Sequence, residues 1–193
     1  MSKRILVIVG HPRPGSFSHA LADAYRDGAA SAGHAVSVID LATLAFDPVL
    51  HAGYATPQPL EPALAEAQRA IADADHLVFA YPNWWGSMPA ILKGFIDRTF
   101  LPGFAFRYRK DSQWWDKLLT GKSARLLVTM DTPPFYYRWI YRAPGHNQMR
   151  RTILEFCGVK PVRVSTFAPA RFSTPEKRQQ WLADTRNLGA GAG

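Results

Sequence analysis

The sequence has a single cysteine, Cys157, which excludes an intrachain disulfide and a cysteine-built metal site. No apolar stretch reaches the length needed to span a bilayer. The N-terminal MSKR is followed only by a short apolar run, Ile5 to Gly10, and then by a Pro/Gly turn, so no secretory leader is expected. Three familiar loops are missing too. Gly10 and Gly15 have the spacing of a nucleotide triphosphatase loop, but Ser16 follows Gly15 directly and the phosphate-reaching lysine is skipped. There is no G-x-G-x-x-G dinucleotide fingerprint. There is no G-x-S-x-G elbow either, and no serine is visibly paired with a histidine and an acid. His19, His34, His51 and His76 have no coherent ligand spacing, so no metal site is expected. These absences point to a cytoplasmic protein without membrane insertion.

What is present suits one medium domain. The 193 residues are 47% hydrophobic and 20% charged, an ordinary globular balance. The net charge of +8 attracts anions. The lysines and arginines are scattered, however, and the densest cluster, Arg107–Lys110, is short. With no nucleic-acid-binding motif beside them, an anionic cofactor is the expected partner and nucleic acid is not.

The chain alternates strand and helix patterns. Arg4–Val9 is a continuous aliphatic run, the mark of a strand buried on both faces. Phe17–Ser31 carries Leu21, Ala22, Tyr25 and Ala29 on one helical face. Ala35–Ile39 reads as a second strand, 40–60 as an irregular excursion, and Glu61–Ala74 as a helix. His76–Ala80 is the third strand and Pro89–Phe100 a helix that opens on proline. Leu101–Lys122 is a long aromatic loop in which Trp114 and Trp115 either pack a dimer or cover a site. Ala124–Met130 and Pro161–Phe167 are the last two strands, separated by a helix near Gln148–Cys157. Glu176–Leu188 is a terminal helix closing a single domain over 1–188, with 189–193 as a flexible tail. Five strands alternating with helices imply a three-layer α/β sandwich around a parallel sheet, order 2-1-3-4-5. Ligands of such sheets bind at the switch point, here between the first and third strands.

Two loops therefore form one candidate site. After the first strand, Gly10–Ser18 leads into a helix N-terminus, where free N–H groups and the helix dipole suit a phosphate. Ser16 and Ser18 add hydroxyls and His11 or Arg13 adds charge, although a serine here also reads as an ordinary helix cap. After the third strand comes Tyr81-Pro82-Asn83-Trp84-Trp85-Gly86-Ser87-Met88-Pro89. Its adjacent tryptophans supply a flat wall for an aromatic ring, with one of the pair free to act as lid or dimer contact. Asn83 can hydrogen-bond the polar edge of a ring, and Gly86 permits close approach.

The segments RILVIVGHPRPGSFSHAL, DHLVFAYPNWWGSMPAILKGFIDRTFLPGFAF, HNQM and EFCGV together resemble the NAD(P)H quinone reductases of the DT-diaphorase type and their short bacterial relatives. The resemblance implies a flavodoxin-like fold and two-electron transfer from NADPH or NADH, through FMN or FAD, to a quinone-like acceptor by a ping-pong mechanism. It implies a homodimer, for which the helix from Pro89 and the aromatic loop are the expected contact. His11, Ser16, Phe17 and Ser18 would hold the phosphate region, and Pro82, Asn83, Trp84, Trp85 and Gly86 would line the ring. No long extension follows the domain, so FMN is expected before FAD. After the fourth strand the family's glycine-rich stretch is replaced by Thr129–Tyr137, with prolines, so Asp131 and Thr132 would contact the ring by side chain. His146 matches a family histidine, and the tyrosine before it is Tyr137 by its spacing from Thr129, with Tyr141 the alternative. Such a pair supplies a donor to developing charge and then a proton. A flavodoxin-like electron carrier, or a regulatory subunit of a partner such as a potassium efflux system, is the competing reading.

Overall fold

The computed structural model of the chain describes residues 2–192. Its main sheet contains β1 (Arg4–Val9), β2 (Ala35–Asp40), β3 (His76–Pro82), β6 (Ser123–Thr129) and β7 (Val162–Phe167), all parallel, in the order β2-β1-β3-β6-β7. This is the expected topology. The numbering differs because β4 (Phe106–Tyr108) and β5 (Trp115–Lys117) form a small antiparallel hairpin inside the segment expected to be loop. The central strands β1 and β3 are buried almost throughout, as continuous apolar runs require, and the edge strand β2 is largely exposed.

Alternation along each strand sends side chains to two cores. Ile5, Val7, Val9, Val78 and Leu127 meet Leu21 and Tyr25 of α1 (Phe17–Ser31) and Trp181 of α7 (Pro175–Ala190). Leu6, Ile8, Phe79, Leu126 and Val128 meet Leu64 and Ile71 of α2 (Pro62–Asp73) and Leu92 and Phe95 of α3 (Ala90–Thr99). Helices α1 and α7 approach backbone to backbone. A Cβ on Gly28 would collide with the Arg186 carbonyl, and one on Gly189 with the Tyr25 carbonyl. Past the expected end at Leu188, α7 runs on to Ala190, and Ala192 is buried. Gly193 lies outside the described residues.

The excursion after β2 carries no regular element up to α2. Arg98, fully buried on α3, fastens it by donating to the carbonyls of Asp47 and Pro59 and pairing with Glu61 at 2.8 Å. Beyond β6 the chain forms α4 (Pro134–Trp139), α5 (Pro144–Asn147), a π-helical stretch (Gln148–Leu154) and α6 (Glu155–Cys157). Helix α4 was not foreseen, because two prolines and four aromatics do not show a helical period over so short a span. Trp115 stacks on Phe156 with ring centroids 4.2 Å apart, whereas Trp114 is exposed. Burial pushes the Cys157 thiol up to about 12, which makes it an inert core residue.

Candidate functional site

β1 ends beside β3, and Gly10 continues the ladder by donating to the Ala80 carbonyl at 2.9 Å. A Cβ at Gly10 would press on the Leu92 side chain, so the strand end packs closely on α3 here. α1 then starts at Ser16, whose hydroxyl does not cap the helix. Instead it meets His19 Nδ1 at 2.7 Å, and His19 Nε2 meets Asp40 Oδ1 at 3.1 Å. The Ser18 hydroxyl is buried with no partner among the described residues. An uncapped helix start beside an orphaned hydroxyl is a poor end for a helix and a good seat for an anion. The Ser16–His19–Asp40 chain overturns the expectation that no serine is paired with a histidine and an acid. It was hidden because Asp40 arrives from β2, remote in sequence and adjacent only through the sheet.

The loops enclose a crevice of about 320 Å³. Its lining includes His11, Arg13, Ser16, Phe17, Ser18, Pro82, Asn83, Trp84 and Asp131. His11 Nδ1 accepts from the Arg13 N–H at 2.9 Å, and burial together with the Arg13 charge lowers its pKa. The ring is therefore neutral near pH 7, and its Nε2–H is left as a donor. His11 also meets the Trp84 ring edge-on at 5.5 Å. Thr129, Met130, Ala170, Arg171 and Arg178 complete the lining and were not among the expected residues. Arg178 sits 5.8 Å from the Phe17 ring and is held by Ser173 and the Ala170 carbonyl. The excess positive charge was the sequence signal for such arginines, but only the return of the chain after β7 brings these two to the crevice.

The paired tryptophans separate. Trp84 and Ser87 exchange backbone hydrogen bonds of 2.8 and 2.9 Å, with Trp85 at φ 52 and Gly86 at φ 78 between them. Positive φ at both central residues is the type I′ hairpin turn. The turn leaves Trp84 at the crevice and turns Trp85 outward, at 104% relative exposure. Trp84 lines the crevice, whereas Trp85 and Gly86, expected beside it, border the adjoining concavity with Pro144 and Arg151.

The wall after β6 also differs from expectation. Asp131 lines the crevice, but its Oδ1 accepts from the Arg171 N–H at 2.7 Å and so holds the loop after β7. Thr132, Tyr137 and His146 are not on the crevice wall. Tyr137 is buried one hydrogen bond behind it, its hydroxyl donating to Asn83 Oδ1 at 3.2 Å and accepting from the Gly145 N–H at 3.0 Å. The prolines drive this: they start α4 and bring Tyr137 under the Trp84–Ser87 turn. With Oδ1 occupied, the Asn83 amide nitrogen has no acceptor among the described residues and can donate into the crevice. His146 packs edge-on to Tyr137 at 4.9 Å, with its Nε2 enclosed and unpartnered and its pKa lowered by burial. Tyr141 is exposed and packs on Tyr136.

Phosphate-seeking and ring-stacking groups thus line one crevice, a donor set that fits a flavin. The described residues contain no cluster of metal-binding side chains and no helix long and apolar enough to cross a membrane.

Comparison with known proteins agrees with the geometry. The flavodoxin-like fold family matches residues 3–188. The ribosyldihydronicotinamide dehydrogenase (quinone) of Pongo abelii is 30% identical over 216 residues, covering 96% of this chain and 90% of its own. NAD(P)H dehydrogenase (quinone) 1 of Cavia porcellus is 33% identical, covering 94% and 74%. Among solved structures, the NAD(P)H:quinone oxidoreductase of Methanothermobacter marburgensis superposes with a TM-score of 0.85 at 25% identity, covering both chains completely.

Proposed function

The chain belongs to the flavodoxin-like fold family and to its quinone reductase branch, and from that premise we propose that it is a flavin-dependent NAD(P)H oxidoreductase acting on quinone-like acceptors. The observation that carries the reading is the crevice at the ends of β1 and β3, where the orphaned Ser18 hydroxyl and the uncapped α1 adjoin Trp84 and Asn83. FMN is the proposed cofactor, with FAD the alternative, and NADPH or NADH the donor.

A flavin bound here would supply two-electron chemistry between nicotinamide and acceptor. The protein's share is binding and electrostatics. Ser16, Ser18 and the first N–H groups of α1 bind the phosphate, with Arg13 and Arg178 adding charge. The His19–Asp40 pair aims the Ser16 hydroxyl. Phe17 and Trp84 offer apolar faces, and the Asn83 amide donates to the polar edge of the ring. Tyr137 fixes the amide orientation of Asn83, with His146 packed behind it; in this role the pair acts through Asn83. Asp131 keeps the Arg171 loop in place.

One crevice of this size admits donor and acceptor in turn, which supports ping-pong exchange. Initial rates at varied NADPH and several fixed concentrations of a soluble quinone test this. Parallel double-reciprocal lines are expected. Intersecting lines would mean that both substrates bind together and would remove the shared crevice.

A further inference from the structure

Helix α4 and its flanks expose an unusual set of side chains. Tyr137 turns inward, whereas Phe135, Tyr136, Trp139, Ile140 and Tyr141 are all exposed. Aromatics of this kind are costly to leave in water, and none of them belongs to the crevice. The surrounding charge has one sign. No acid lies between Asp131 and Glu155, a span that includes Arg138, Arg142, Arg150 and Arg151. These four arginines line one cavity of about 540 Å³ beside α4. Arg150 is paired with Glu155 at 3.1 Å, and Arg138 lies 5.6 Å from the Trp139 ring. Arg138, Arg142 and Arg151 have no carboxylate partner among the described residues. Trp85, also exposed, shares the adjoining concavity with Arg151.

We propose that this aromatic and arginine-rich surface docks on an anionic phospholipid bilayer, with lipid phosphates in the arginine cavity and the ring side chains at the headgroup level. Trp and Tyr favour that level because each is apolar at one end and polar at the other. Juxtaposed arginines gain from the negative surface potential of such a membrane. A second copy of the chain is a poor occupant, because across a two-fold contact this surface, without an acid between Asp131 and Glu155, offers these arginines no carboxylate to meet. The seat is peripheral and spans nothing. It also brings the bilayer close to the crevice, since Tyr137 links α4 directly to Asn83. A quinone dissolved in the bilayer thereby becomes the natural acceptor. That last clause rests on the function proposed above, whereas the docking does not.

Co-sedimentation of the flavin-loaded protein with vesicles of phosphatidylcholine, with and without phosphatidylglycerol, tests the docking. Binding is expected only when the anionic lipid is present, and salt should release it. Arg142→Gln should weaken partition about fivefold. Trp139→Ala should weaken it by a similar factor, while Trp114→Ala, an exposed tryptophan on the β4–β5 hairpin, should not change it. Reduction of a soluble quinone should be unaltered in Trp139→Ala, which also shows that the variant is folded. Equal binding to neutral vesicles, or no binding at all, would overturn the proposal. So would salt-insensitive self-association that shields Trp139 from a soluble quencher. Quinone reduction without vesicle binding defeats the docking alone, and vesicle binding without any flavin reduction by NAD(P)H defeats the enzymatic reading alone.

Discussion

At the scale of single residues, the adjacent tryptophans have opposite tasks. Trp84 is 44% exposed at the crevice and touches His11, whereas Trp85 stands wholly in solvent. Trp84→Ala should raise the FMN dissociation constant about tenfold, the value of one aromatic contact of ~1.4 kcal/mol. Trp85→Ala should leave it unchanged, and flavin fluorescence quenching reads both. A second residue sets the response to acid. His76 is buried between Tyr25 and Ser123, and desolvation lowers its pKa from 6.5 to about 4. A depressed histidine pKa means that the unfolded chain takes up the proton first as pH falls. Stability should therefore be intact above pH 6.5 and decline progressively as the pH falls to about 4, by up to about 3 kcal/mol. Urea midpoints across that window check this, and His76→Gln should flatten the slope.

At the scale of elements, the site depends on close backbone contacts that carry no chemistry themselves. α5 sits on the Trp84–Ser87 turn through Gly145, where a Cβ would meet the Gly86 carbonyl at 2.5 Å and Asn83 Oδ1 at 3.1 Å. Gly145→Ala should push the turn away and move Asn83 off Tyr137. We expect a loss of about 2 kcal/mol in stability and a weaker flavin complex, read by thermal melts with and without FMN. Arg98 does the same for the excursion before α2. Arg98→Met leaves Glu61 without its partner and should cost about 3 kcal/mol, with early proteolysis confined to residues 41–60. These contacts also mark how far the sequence could be read. Buried runs such as Arg4–Val9 and His76–Ala80 announced the parallel sheet, because continuous β-branched patterns have few other uses. The crevice position followed from topology, and Trp84 from the company it keeps. What stayed hidden depended on long-range geometry: Asp40 behind His19, Arg178 arriving from α7, and a turn whose left-handed backbone sends Trp85 the other way. Tyr137 was named for its spacing, but only the structure shows that its hydroxyl donates to Asn83 Oδ1.

At the scale of the whole molecule, three surfaces of different character are distributed over one α/β sandwich. The crevice is polar and cationic, the α4 surface is aromatic and arginine-rich, and a third concavity of about 560 Å³ between α3 and the β4–β5 hairpin is mostly apolar, with Lys93 and Asp97 at its edge. Ile96, Phe100, Phe106 and Tyr108 line that third surface, which is the contact we propose for a homodimer. Sedimentation should show a dimer, and Tyr108→Asp, at an exposed position of that surface, should shift it towards the monomer. The central claim concerns the crevice. Its most direct measurement is anaerobic titration of the FMN-loaded protein with NADPH or NADH, followed by a soluble quinone. The visible flavin band should bleach stoichiometrically with the nicotinamide and return on addition of the quinone. A protein that retains neither FMN nor FAD, or a bound flavin that keeps its colour through excess NADPH and NADH, would contradict the account.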